Sequence, residues 1–301
     1  MRSFQFVTVD VFTDRPFSGN PLAVFPDAEG LSDREMQLLA AEFNLSETTF
    51  VLPAADAAHT ARVRIFNRSA EMAFAGHPNV GTAWVLGRLG RATGVRLCFE
   101  EIAGPVEIRV DQDRVTVDAP DAFSLGPEMP VDLFAACVGL EAGDIAVSMH
   151  RPILASVGHP FVIGEVSADA LGRAIPDIAA FRKASGVYRA SEPHALSLYT
   201  YARDGSAMRA RMFSPLAGTF EDAATGSAAM PLTALLLTLA GGSERRLDVL
   251  QGLEMGRPSR LLCTAKRTGD AIRASVSGSC VQMSKGEVCL PDLAAEHGHV
   301  G

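Results

Sequence analysis

Residues 221–231 read Glu221-Asp222-Ala223-Ala224-Thr225-Gly226-Ser227-Ala228-Ala229-Met230-Pro231: two acids, a turn of small residues, then the start of an apolar segment. Residues 75–78, Ala75-Gly76-His77-Pro78, open a second apolar segment in the same way. Each predicts a glycine-containing turn that leads into a buried helix, with Pro78 standing where a missing N–H is harmless. A helix start offers unpaired N–H groups and the positive end of the dipole, a ready site for a carboxylate or a developing oxyanion. Two such starts predict a duplicated architecture, two α+β halves whose helix N-termini face each other across a cleft and grip one small anion.

The surrounding pattern supports two halves. Period-two runs at residues 4–12, 60–66, 95–100, 106–110 and 114–118 predict strands. Between them, Ser32-x-x-Glu35 is a capping box that opens a helix through Phe43, and residues 78–89 form the second helix. The Pro/Asp/Gly-rich residues 119–130 read as a linker. Beyond it, helices are expected at 132–138 and 177–184. Strands are expected at 153–156, 161–165, 195–202, 208–213, 260–266, 271–277 and 288–290. The expected units are residues 1–120, residues 121–292 and a tail, 293–301, whose Glu296-His297-Gly298-His299 reads as a disordered end and not as a metal site.

Composition narrows the function. A chain of 301 residues with 48% hydrophobic and 21% charged residues has the makeup of a soluble globular protein large enough for two domains. Its net charge of −8 and the lack of a dense Lys/Arg run argue against nucleic acid. No apolar run is long enough to span a membrane, and the N-terminus alternates like a strand, so a cytoplasmic location is expected. Five scattered cysteines with no CxxC support neither a zinc site nor a disulfide framework. GxGxxG, GxxxxGK[ST] and GxSxG are all absent, which removes nucleotide cofactors and serine hydrolysis from consideration.

Three residues stand out. Glu47, in Asn44-Leu45-Ser46-Glu47-Thr48, lies where a helix gives way to a strand; alone, such an acid is most often a solvated loop charge. His77 is the one histidine in a glycine-rich, helix-opening turn, where the dipole disfavours imidazolium; a capping or core histidine is the plain alternative. Asp222 either caps the helix that follows or stands opposite another carboxylate as one of an acid and base pair.

At these residues the chain resembles the phenazine-biosynthesis PhzF family, part of the wider diaminopimelate epimerase fold group. The motifs are Asp10-x-Phe12-Thr13-x-x-Pro16-Phe17-x-Gly19-Asn20-Pro21, Asn44-Leu45-Ser46-Glu47-Thr48 and Ala75-Gly76-His77-x-x-x-Gly81-Thr82-Ala83. They continue with Arg211-Met212-Phe213-x-Pro215, Glu221-Asp222-x-Ala224-Thr225-Gly226-Ser227-Ala228 and Gln251-Gly252-x-x-Met255-Gly256-Arg257-Pro258-Ser259. The resemblance implies two pseudo-symmetric halves, each a curled antiparallel sheet around a central helix, with the active site between them and a homodimer. It also implies that Glu47 is the proton shuttle and that His77, Asp222 and Ser227 bind and polarise the substrate. Gly76, Thr225 and Gly226 would line the pocket, as would Asn20 by a looser match to related epimerases.

Related racemases use two cysteines, one before each turn; Ala75 and Ala224 stand there in this chain. A single base, Glu47, is then expected to move a proton between two carbons on one face. The expected activity is a cofactor-independent isomerisation of a small carboxylated, cyclic, amino-substituted substrate of the trans-2,3-dihydro-3-hydroxyanthranilate type. The alternatives are an amino- or hydroxy-acid epimerase with Glu47 and Asp222 as opposed bases, and a binding protein that kept the fold without the chemistry. Two positions depart from the family pattern: Ala223, where proline is common, and Pro231, which is expected to kink the helix after Ser227.

Overall fold

The computed structural model describes residues 1–92, 94–188, 196–204 and 207–292. The expected tail 293–301 and the first residue of the strand expected at 195–202 lie outside the described residues. The helices are α1 (Asp33–Phe43), α2 (Gly76–Arg88), α3 (Val131–Cys137), α4 (Ala168–Arg173), α5 (Ile178–Val187) and α6 (Gly226–Ala240). The strands join into one continuous, mainly antiparallel sheet.

Among the described residues four ladders are parallel. They pair Asn20–Phe25 with Glu47–Leu52, Ala61–Phe66 with Arg96–Glu101, Pro160–Val166 with Leu198–Asp204, and Ala207–Ser214 with Glu244–Gln251. Parallel neighbours need a crossover, and the helices provide it. α1 spans the first pair, α2 the second, α4 with α5 the third and α6 the fourth. The element order therefore recurs: one crossover with an exposed face, then one buried almost all round.

Each buried helix is wrapped by strands. Around α2, seven strands from Arg2–Val11 to Arg114–Asp118 pair in succession, and both ends return to the strand Ala271–Leu290. Around α6 the wrap runs from Ser124–Glu128 through to Ser259–Thr268 and the same Ala271–Leu290. The stretch read as a linker is part of this second wrap: the Ala119 and Phe123 amides donate to the carbonyls of Ala274 and Ile272.

The sequence pattern splits Ala271–Leu290 into two short strands, yet it is one strand of 20 residues. Glycine accounts for the interruption: a Cβ at Gly278 would stand 2.2 Å from Phe12 Cδ1, and one at Gly286 2.6 Å from Phe6 Cζ. Phenylalanine rings from the neighbouring strand region cover the two bare positions, so alternation is lost while the ladder continues. Asn20–Phe25 is almost wholly buried and likewise shows no period-two signal.

α1 has the expected capping box, Ser32 accepting from the Glu35 amide while Glu35 returns to the Ser32 amide. It ends at Asn44 in the left-handed region (φ 51°), a conformation Asn tolerates, and so hands the chain to Ser46 and Glu47. α6 runs on through Pro231 to Ala240. The amide that Pro231 lacks would have bonded the Ser227 carbonyl, so the loss falls on the turn beside the other helix start.

Candidate active site

α2 and α6 meet end to end. A Cβ on Gly76 would stand 3.3 Å from both Gly226 Cα and Ser227 N, so the bare backbone at residue 76 is what allows the contact. Ala75 and Thr225 occupy the N-cap positions without a side-chain cap, which leaves first-turn N–H groups of both helices unclaimed by the caps. Asp222 is therefore not the cap of α6.

Asn20, the first residue of its strand, joins the halves. Its Nδ2 donates to Asp222 Oδ1 (2.8 Å) and the Ala224 carbonyl (3.0 Å) and lies 3.3 Å from His77 Nδ1, while its Oδ1 accepts from Ser46 Oγ (3.0 Å). The loop that delivers Asn20 is pinned by Arg257, which pairs with the buried Asp10 at 2.6 Å and bonds the Ser18 and Gly19 carbonyls. Parallel pairing sets Leu22 opposite Glu47, which brings the starts of the two strands to the same end.

The carboxylates differ sharply. Asp222 is held at both oxygens, by Asn20 and by Thr225 Oγ1 at 2.6 Å. Glu47 Oε2 lies 3.2 Å from His77 Nε2, off the line a hydrogen bond needs. Both atoms are buried, and neither has a hydrogen-bond partner. Burial pushes both carboxyls above the ordinary range; the charge of Asp222 raises Glu47 further, while Ser46 and Arg68 pull it down. Burial also pushes His77 down to about 3, so the imidazole is neutral. The direction is the one expected from the helix dipole, but the cause is desolvation.

All eight residues singled out in the sequence, Asn20, Glu47, Gly76, His77, Asp222, Thr225, Gly226 and Ser227, thus fall in one cluster. Glu221 does not join it, since Arg211 holds it in a bidentate pair at 2.8 Å. Two residues escaped sequence reading. Gln251, fully buried, donates to the Asp222 carbonyl and Thr225 Oγ1 and accepts from the Thr225 amide. Tyr199 donates to the Gln251 side chain at 3.1 Å. The Gln251-Gly252 motif was the available signal for the first; a tyrosine in a buried strand gave none for the second.

The five cysteines are free, and burial pushes Cys137 and Cys263 up to about 12, far from thiolate chemistry. Among the described residues no group of three or more His, Cys, Asp and Glu side chains is arranged to hold a metal ion. None of the described helices is long and apolar enough to cross a membrane.

One family model, described as phenazine biosynthesis-like protein, matches residues 9–286. The chain belongs to that family. It is 36% identical to the trans-2,3-dihydro-3-hydroxyanthranilate isomerase of Pseudomonas chlororaphis over 95% of this chain and 99% of that one. It is 37% identical to an uncharacterized isomerase of Mesorhizobium japonicum over 96% of this chain and all of that one. A PhzF-family protein of Bacillus anthracis superposes with a TM-score of 0.85 at 27% identity, over 96% of this chain and all of that one. A hydroxyproline epimerase of Agrobacterium vitis shares the fold, with a TM-score of 0.64 at 14% identity over 97% of this chain and 94% of that one.

Proposed function

We propose that this protein is an isomerase that moves a proton between two carbons of a small cyclic amino carboxylate of the trans-2,3-dihydro-3-hydroxyanthranilate type. Glu47 takes a proton from one ring carbon, the electrons of that C–H bond shift the double bonds, and Glu47 returns the proton to another carbon on the same face. Atoms and electrons balance without a redox partner. A carboxyl held above its ordinary pKa suits this work, because it gives the proton back as readily as it takes it.

The observation that carries this reading is the inequality of the two acids. Glu47 Oε2 is buried without a hydrogen bond beside a neutral imidazole, whereas Asp222 has both oxygens engaged. One carboxylate is free to exchange a proton and the other is fixed as a polarising contact. His77, neutral, offers Nε2 beside Glu47 to the substrate. The N–H groups at Gly76, Gly226 and Ser227 hold the substrate carboxylate, and Asp222 with Thr225 holds its amino or hydroxyl end. An epimerase with opposed bases needs two free carboxylates, which the bonds to Asp222 disfavour. The same reading has the halves 1–120 and 121–292 closing on the substrate without a cofactor, in a cytoplasmic homodimer whose mass sedimentation would test.

The test is proton exchange in D₂O with trans-2,3-dihydro-3-hydroxyanthranilate. Carbon-bound deuterium and a shifted double bond are expected with the native protein and not with Glu47→Gln. Equal exchange by both proteins removes Glu47 from the role; exchange with inversion at a single carbon establishes the epimerase instead.

A further inference from the structure

A second buried acid stands behind the catalytic turn. Glu101 ends the strand Arg96–Glu101, where the next residues turn back into Gly104–Asp111. That turn is clipped to the chain leading into α2 by a bond from the Ala103 amide to the Ala73 carbonyl. Both Glu101 carboxyl oxygens are shut off from solvent and have no hydrogen-bond partner. The buried Oδ1 of Asn79, in the first turn of α2, is also unpartnered. The Asn79 side chain lies within reach of Glu101, so three buried acceptors without an aligned donor lie together, a costly arrangement unless one of them carries a proton.

A hydrogen bond from Asn79 would favour the ionised form of Glu101, but none is aligned. Asn79 Nδ2 is engaged with the Ala75 carbonyl at 3.0 Å. Ala75 is the N-cap of α2, directly before Gly76 and His77. A neutral Glu101 can donate to the unpartnered Asn79 Oδ1 and leaves the Nδ2 bond in place; an ionised Glu101 can only accept, and its charge stands against Oδ1 unless the amide turns and takes Nδ2 from the Ala75 carbonyl. We propose that Glu101 is a positioning residue of the active site: as a neutral acid it keeps Asn79 on the Ala75 carbonyl, which fixes the turn that presents the Gly76 amide and the His77 ring.

Burial pushes the Glu101 carboxyl up to about 8, and no charged side chain on α2, on Ala61–Phe66 or on Gly104–Asp111 contributes to that shift. The neutral form is thus the working form at neutral pH. The inference rests on the placing of the catalytic site at the Gly76-His77 turn, so its first readout needs no substrate. In the native protein, the ¹³C shift of the Ala75 carbonyl is expected to move with a midpoint near pH 8; in Glu101→Gln it stays constant. The same shift in both proteins, or in neither, overturns the proposal.

Unfolding gives a second readout. The neutral form is preferred when folded, so stability falls as pH rises from the unfolded value near 4.5 to the folded one near 8. The ratio of the folding constants of Glu101→Gln and native protein then grows about tenfold per pH unit across that window and levels off above it. A ratio independent of pH overturns the proposal. With an accepted substrate, Glu101→Gln should exceed native turnover about tenfold one pH unit above the midpoint, where ~a tenth of the native acid remains protonated. Both substrate-free readouts stand if the isomerase reading fails, which keeps the two failures apart.

Discussion

The two helix-opening turns are built alike and equipped differently. At the start of α6, Asp222, Thr225 and Gln251 satisfy one another, with Asn20 and Tyr199 closing the network. At the start of α2, Glu47 and His77 face each other with unpartnered atoms. The first turn is a finished network that fixes a carboxylate, and the second leaves a carboxylate open for a proton. On the proposed reading, duplication supplies two helix ends suited to an anion, and the difference between them supplies the division of labour.

The largest expected effect comes from removing the open side. Glu47→Gln should lower kcat by ~10²- to 10⁴-fold and leave substrate binding within about threefold, as measured by turnover and calorimetry. The same variant should gain stability. The folded pKa of Glu47 lies above the unfolded value of 4.5, so native stability falls with rising pH through that window. At pH 8 the amide escapes this and should raise stability by about 1–3 kcal/mol in urea unfolding. A variant less stable than native protein at every pH would show that Glu47 is a structural acid and end the contrast.

On the finished side the losses should be smaller. Asn20→Ala takes donors from Asp222 and the Ala224 carbonyl, and bonds to a charged acceptor contribute ~1.5–3 kcal/mol, so kcat/KM should fall about ten- to a hundredfold. A loss as large as that of Glu47→Gln would mean that Asp222 moves protons as well. Gly76→Ala tests the contact between the turns: its methyl group meets Gly226 and Ser227 backbone at 3.3 Å and must part the helix ends by a few tenths of an ångström. An effect of about tenfold on KM with ~1 kcal/mol of stability is expected. If KM is unchanged, substrate does not bridge the two ends.

Legibility in the sequence followed the chemistry of each residue. The turns were readable because small residues with glycine and then proline mark a helix start, and the capping box by its Ser-x-x-Glu spacing; Glu47 took its weight from the family resemblance. The parallel ladders were not readable, because a strand such as Asn20–Phe25, buried on both faces, carries no alternation, and pairing direction is set by crossovers rather than by the strand. Gly278 and Gly286 broke the pattern of a continuous strand into fragments because their cover is supplied by Phe12 and Phe6, far away in the sequence. Glu101 falls one residue beyond the strand expected at 95–100 and belongs to no motif. That it is buried beside Asn79 of α2 is a fact of tertiary structure.

The finest test concerns what keeps the open carboxylate ionisable. Arg68 donates to the Gly218 carbonyl, 150 positions further along the chain, and its charge is the cationic influence that pulls Glu47 back toward ionisation. Arg68→Gln keeps an amide donor for Gly218 and removes the charge. A base must be ionised to accept a proton, and losing a nearby cation makes ionisation harder, so the rising limb of kcat/KM should move to higher pH. A shift of about half a unit gives an approximately threefold loss on the acid side and none at high pH, where Glu47 is ionised in both proteins. A uniform loss at all pH would assign Arg68 to holding the halves together; a shift to lower pH would mean that the titrating group is not Glu47.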